Sequence, residues 1–200
     1  VAPLSVEELA GLALEPEVES RLISNGDATA PWPVRFGPFG EQDFARLPSR
    51  DWTLLVQAVD LWCPDVANLY AHFDFLPRWR IDDIMASYAV PGGSVGPHFD
   101  QYDVFLIQIS GHRRWQIGAK CDDQTPLLQG TELQIIDNFE ATDEWLLGPG
   151  DMLYLPPGVA HWGVAEDACM TFSLGFRAPL LSDMLSDLAV ELSAQGLDQH

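Results

Sequence analysis

The hydrophobic pattern divides the chain into three stretches with different periods. Near the start, Ser5-Val6-Glu7-Glu8 has the form of a capping box, and Leu9 and Leu12 follow as one apolar side. Gly11 and Pro16 keep this predicted helix short. Val18–Ile23 reads as a strand with charged residues on alternate positions, followed by a Gly/Pro-rich loop from Asn25 to Gly40. Trp52–Val59 is rich in β-formers, and Pro64-Asp65 opens a predicted helix running to about Phe73, with proline in the first turn where its missing N–H costs little.

After Pro77 the period shortens to two. Ile81–Val90, Asp103–Ile109, Arg113–Ile117, Glu132–Ile136, Glu144–Leu147, Met152–Leu155, His161–Val164 and Met170–Phe176 read as strands. They are separated by Pro91-Gly92-Gly93, Ser110-Gly111, Gly148-Pro149-Gly150 and Pro156-Pro157-Gly158. Strands and turns without intervening helices predict an all-β sandwich or barrel and exclude a parallel α/β sheet. Beyond Pro179 the period returns to that of a helix: Leu181, Met184, Leu185, Leu188 and Leu192 form one stripe. That stripe predicts packing against the barrel, pairing with another subunit, or contact with a further domain. The tryptophans at 32, 52, 62, 79 and 145 are expected to build core.

Composition narrows the partners. Ten basic against thirty acidic residues leave a net charge of −20 over 200 residues, which argues against direct nucleic-acid or anionic-membrane binding. It leaves a basic protein or peptide as the expected partner, though a solvated acidic surface would have the same count. Nine of the ten basic residues are arginine and one is Lys120, so any buried cation is expected to be arginine. Cys63, Cys121 and Cys169 are scattered and form no C-x-x-C, as expected of reduced thiols in a cytoplasmic protein. No apolar run reaches the roughly 18 residues needed to span a bilayer.

His98 and Asp100 are two apart, so an extended chain points both to one face, and His161 follows much later after a Pro-Pro-Gly turn. Two histidines and one carboxylate on one side of an octahedron are the ligand set of non-haem Fe(II) oxygenases. On spacing alone, His98 could equally be an exposed turn residue beside a capping Asp100, and His161 a core residue satisfied by backbone. Parity also places Arg113, Trp115 and Ile117 on one inward face, with Arg114 outward.

The run Gly150-Asp-Met-Leu-Tyr-Leu-Pro156-Pro-Gly158-Val-Ala-His161 resembles the second motif of the cupin family, and Gly92 to His98-Phe99-Asp100 resembles the first. Where many cupins carry a glutamate ligand this chain has Val104 and Phe105, so three ligands remain. The longer run Ile81 to Trp115 resembles the Jumonji-C ribosomal oxygenases, and within them the bacterial arginine hydroxylases of a large-subunit ribosomal protein. The resemblance extends from about Leu4 to Pro179. It implies a double-stranded β-helix (jelly-roll, cupin) barrel with flanking helices, Fe(II) held by His98, Asp100 and His161, 2-oxoglutarate and O2 as co-substrates, and a basic ribosomal protein as substrate.

The same resemblance gives Arg113 the distal carboxylate of 2-oxoglutarate with Ser87 as hydroxyl donor, and gives Asp83, Met85, Tyr102 and Ser173 the target side chain. It also implies that residues 1–179 form the catalytic unit and 180–200 the start of a helical dimerisation region. Full-length relatives are then expected to be homodimers, and this chain a fragment or a short member. The alternatives are the same chemistry on histidine or methyl-lysine, against which the single lysine weighs mildly, and a metal-binding cupin without oxygenase activity.

Overall fold

The computed structural model describes residues 2–26, 31–176 and 181–194. Two antiparallel sheets face each other. The larger has the order β2-β1-β3-β4-β10-β5-β8 and the smaller β7-β6-β9. In chain order the strands are β1 Ser20–Ser24, β2 Val34–Phe36, β3 Trp52–Val56, β4 Ile81–Ala89, β5 Asp103–Ser110, β6 Arg113–Lys120, β7 Asp143–Leu147, β8 Met152–Leu155, β9 Val159–Ala165 and β10 Cys169–Phe176. The segment after β4 crosses to the smaller sheet, where Ser94 bridges Val164 and His98 bridges His161. This is an all-β barrel, as the turn spacing predicts, and of the jelly-roll kind that the family resemblance implies.

The helices are few. In α1, Val6–Leu12, the Ser5 hydroxyl accepts from the Glu8 N–H and the Glu8 carboxylate accepts from the Ser5 N–H, the reciprocal cap predicted by the sequence. Glu41–Ala45 is a short α2 that the sequence pattern did not indicate, and β2 lies inside what was expected to be loop. Pro64 does start a helix, but α3 stops at Ala67 and continues as a 3-10 turn over Asn68–Phe73.

The strands of the larger sheet alternate between two environments. From their outer face Leu54, Val56, Ile84, Ala86, Phe172 and Leu174 pack under α1 and the loops into one dry core. Inside the barrel Val104, Leu106, Trp115, Ile117, Leu147 and Leu155 form a second, smaller cluster.

Three expectations are corrected. Glu132–Ile136 is loop, touching its own hairpin partner only through the Leu127–Ile136 bridge. Among the tryptophans expected in the core, Trp52 is buried, whereas Trp62, Trp79 and Trp145 are exposed. Of the three placements expected for the stripe of α4, Leu181–Ala194, packing against the barrel is the one overturned: Leu181, Met184, Leu185, Leu188 and Leu192 are all exposed. The expected boundary at residue 179 lies outside the described residues. No helix among the described residues is long and apolar enough to cross a membrane.

Candidate active site

His98 and His161 are fixed opposite one another by a reciprocal backbone pair, His98 N–H to His161 C=O at 3.0 Å and His161 N–H to His98 C=O at 2.8 Å. Their side chains therefore leave the same face, with ring centroids 4.3 Å apart. Asp100, two residues on, is tied to the Pro-Pro-Gly turn by the Gly158 N–H. One ligand atom from each of His98, Asp100 and His161 lies within 4.8 Å of the others, close enough for a single ion.

Each imidazole is oriented by the same local device. The Nδ1–H of His98 donates to the Gly96 carbonyl and that of His161 to the Val159 carbonyl, both at 2.9 Å. A carbonyl can only accept, so each Nε2 keeps its lone pair for a metal. Burial, and then the neighbouring His98, push His161 down to about 3, so its ring is neutral at physiological pH. Its 3.7 Å approach to Asp100 is accordingly a meeting of two acceptors that a cation would bridge, and not an ion pair.

Across the cavity sits Arg113, only 4% exposed. Its Nη1–H donates to the Ser87 hydroxyl at 3.0 Å, while among the described residues Nε and Nη2 have no partner, and neither does Trp115 Nε1. A buried guanidinium cannot shed its proton, and leaving it without a counter-charge is costly. The two idle donors lie on one edge of the planar fork, which matches a carboxylate accepting two parallel hydrogen bonds. Trp115 stands between the two poles, its ring centred 5.9 Å from both the Arg113 guanidinium and the His161 ring. Its benzo edge lies over Gly163, where a Cβ would come within 2.7 Å.

The third wall is acidic. Asp83 Oδ2 accepts from Gln57 Nε2 at 2.6 Å and from the Ala58 N–H at 3.0 Å. Burial raises its carboxyl above the usual range, partly offset by those two bonds. Met85 and Ser173 are cross-strand partners on β4 and β10. A Cβ on Gly175 would be in contact with the Tyr102 ring.

One cavity of about 660 Å³ joins these walls, and His98, Asp100, His161, Arg113, Ser87, Asp83, Met85, Tyr102 and Ser173 all line it. The sequence reading missed Gln57, Ala58, Arg21 and Ile135, which line it too. Parity from Leu55 could have found Gln57; a left-handed turn at an alanine has no sequence signal.

Residues 68–184 match the JmjC domain family. The chain is 49% identical to the ribosomal protein uL16 3-hydroxylase of Escherichia coli over 189 residues, 94% of this chain and 49% of that protein. It is 43% identical to a probable ribosomal oxygenase of Haemophilus influenzae, over 94% of this chain and 46% of the relative. It thus spans about half the length of these relatives. Among solved structures, the E. coli ribosomal oxygenase YcfD in complex with cobalt and 2-oxoglutarate aligns with a TM-score of 0.84 and 46% identity, covering all of this chain and 51% of that one. With a matching family model across more than half of its residues, the chain belongs to the JmjC-domain family.

Proposed function

We propose that the protein is an Fe(II)- and 2-oxoglutarate-dependent oxygenase that hydroxylates an arginine side chain of a large-subunit ribosomal protein. The observation that carries this reading is Arg113: a buried cation whose free edge points to an anionic co-substrate, in the same cavity as three convergent metal-ligand side chains. The relatives support the choice of co-substrate and substrate, since one is named for hydroxylating uL16 and another was solved with 2-oxoglutarate.

When bound, the metal with 2-oxoglutarate and O2 supplies the oxidising power to place one oxygen atom in an unactivated C–H bond, with succinate and CO2 as co-products. The chain's own contribution is placement. His98, Asp100 and His161 would take one side of the ion and leave the other free for co-substrate. Arg113 and Ser87 would hold the distal carboxylate and so fix the co-substrate along the cavity. Asp83 would pair with the target guanidinium, with Met85 and Tyr102 along its methylene stem and Ser173 beside it. Val104, Leu106 and Trp115 supply apolar wall that keeps water away.

The net charge of −20 favours a basic protein as partner and disfavours direct nucleic-acid contact, and a ribosomal substrate fits the cytoplasm. The same reading makes 1–179 the catalytic unit and the uncovered stripe of α4 the start of a dimerisation region, as in a homodimeric full-length protein.

The test is turnover on a uL16-derived peptide with Fe(II) and 2-oxoglutarate. Succinate release with a gain of one oxygen on an arginine is expected. Equal turnover by a His98→Ala, Asp100→Ala double variant would overturn the assignment. Oxidation of histidine or methyl-lysine peptides in place of arginine would move the substrate. Failure of anaerobic Fe(II) and 2-oxoglutarate to produce a charge-transfer absorption band would favour a cupin without oxygenase activity.

A further inference from the structure

Two half-buried aspartates, Asp60 and Asp83, line the same wall of the cavity, and the fold treats them differently. Both oxygens of Asp60 are used inside the protein: Oδ1 accepts from the Ile84 N–H at 2.9 Å and Oδ2 from the Tyr70 hydroxyl at 2.7 Å. At Asp83 the two donors, Gln57 Nε2–H and Ala58 N–H, converge on Oδ2, and among the described residues no hydrogen bond or salt bridge reaches Oδ1. Ala58 reaches it because the chain leaves β3 through a left-handed residue, φ +52° and ψ +41°, before the 3-10 turn Val59–Leu61.

The amide of Gln57 is oriented from behind, since Arg21 Nη2–H donates to its Oε1 at 3.5 Å, which leaves the NH2 for Asp83. Arg21 thereby stays one amide away from the carboxylate. Two neutral donors orient Asp83 without cancelling its charge, whereas a cation in their place would. Asp83 is thus an anion held by one oxygen, with the other available to the cavity.

We propose that Gln57, together with the Ala58 main chain, is a positioning residue that presents Asp83 to an incoming cationic side chain and sets the preference for a guanidinium over a neutral group. The inference rests on the functional reading above, in which Asp83 meets the target arginine. Gln57 itself touches Asp83 and acts through it.

The test compares an arginine peptide with its citrulline counterpart, which keeps the shape and lacks the charge. In Gln57→Met the peptide KM is expected to rise about tenfold, the loss typical of one hydrogen bond to a charged group, and the arginine-to-citrulline preference to fall by a similar factor. The KM for 2-oxoglutarate is expected to change far less than the peptide KM. Gln57→Lys keeps a donor in place but cancels the charge, so it should weaken the arginine peptide and favour citrulline.

Asp83→Asn separates the two layers of the argument. If it leaves the arginine preference intact, the functional reading of Asp83 is overturned and the positioning role with it. If it removes the preference while Gln57→Met retains wild-type discrimination, the positioning role alone is overturned. A rise in 2-oxoglutarate KM equal to that in peptide KM in Gln57→Met would mark a general structural role and also overturn it.

Discussion

The two faces of the seven-stranded sheet are built from alternate residues of the same strands, yet they answer to different requirements. On β4, Ile84 and Ala86 face outward into the dry core, while Asp83, Met85 and Ser87 face the cavity. On β10 the outward set is Met170, Phe172, Leu174 and Phe176, and the inward set includes Ser173 and Gly175. The outer face is closed on itself: Phe73 meets Phe105 and Phe176 at centroid distances of 5.1 and 5.9 Å. The inner face carries the half-satisfied Asp83 carboxylate and looks across open space at the smaller sheet, where Arg113 on β6 has no counter-ion among the described residues and the three metal-ligand candidates gather around His161 on β9. Stability should therefore reside on one side of the sheet and chemistry on the other, at a cost in stability that the outer core offsets.

The largest effect expected on the outer face comes from Phe172→Ala. Phe172 is fully buried, and deleting its ring removes both burial and packing, for a loss of about 3–5 kcal/mol in denaturant unfolding. A loss below ~1 kcal/mol would mean that the outer core can collapse around the gap and does not carry the stability assigned to it.

Arg113→Met should behave in the opposite sense. It removes a buried charge that, among the described residues, has one hydroxyl partner and no counter-ion, so the ligand-free protein should be as stable as wild type or more so. The KM for 2-oxoglutarate should rise about a hundredfold, the scale of losing a two-bond, charge-assisted contact. Unfolding midpoints and steady-state kinetics on the same samples decide it. Destabilisation comparable to Phe172→Ala would show that Arg113 is part of the scaffold.

Asp83 extends the contrast to pH. Burial raises its folded carboxyl above the ordinary value near ~4, so between the unfolded and folded values the folded state holds the extra proton. Its contribution to stability thus falls as pH rises through that window, and above it the cost of burying the ionised group is carried in full. Binding of a cationic side chain has the reverse dependence, because it needs the ionised form. Peptide KM should rise on acidification, starting above pH ~4, while Asp83→Asn should abolish that dependence, raise KM about tenfold at neutral pH, and leave stability unchanged or improved. Parallel pH profiles in wild type and Asp83→Asn would remove Asp83 from substrate binding.

Much of the inner face was legible because parity is a strict rule within a strand: once Trp115 and Ile117 mark the interior of β6, Arg113 must join them, and Ser87 brings Asp83 and Met85 with it. The metal-ligand candidates were legible for a different reason, the fixed turns Pro91-Gly92-Gly93 and Pro156-Pro157-Gly158 beside them. What failed lies where alternation has another cause. Glu132–Ile136 alternates like a strand, but Leu133 and Ile135 form part of the cavity wall from a loop. Gln57 was missed because its role depends on the left-handed turn at Ala58, which local propensity disfavours and tertiary context imposes. Trp62, Trp79 and Trp145 show that aromatic character alone does not decide burial.

The smallest expected effect is also the sharpest test of the alternation, because it concerns the next residue along. Arg114 has the same side chain as Arg113 on the opposite face of β6. Its Nε–H donates to Glu166 and its Nη1–H to Glu144, both at 2.6 Å, with all three side chains well exposed. These pairs hold the Glu144 carboxyl below its usual range, yet solvent and salt screen them, so they stabilise little. Arg114→Ala should leave kcat and the KM for 2-oxoglutarate unchanged and lower the unfolding midpoint slightly, with the difference vanishing in high salt. One-residue slippage of β6 would exchange the two arginines between faces. In that case Arg114→Ala, and not Arg113→Met, would abolish co-substrate binding.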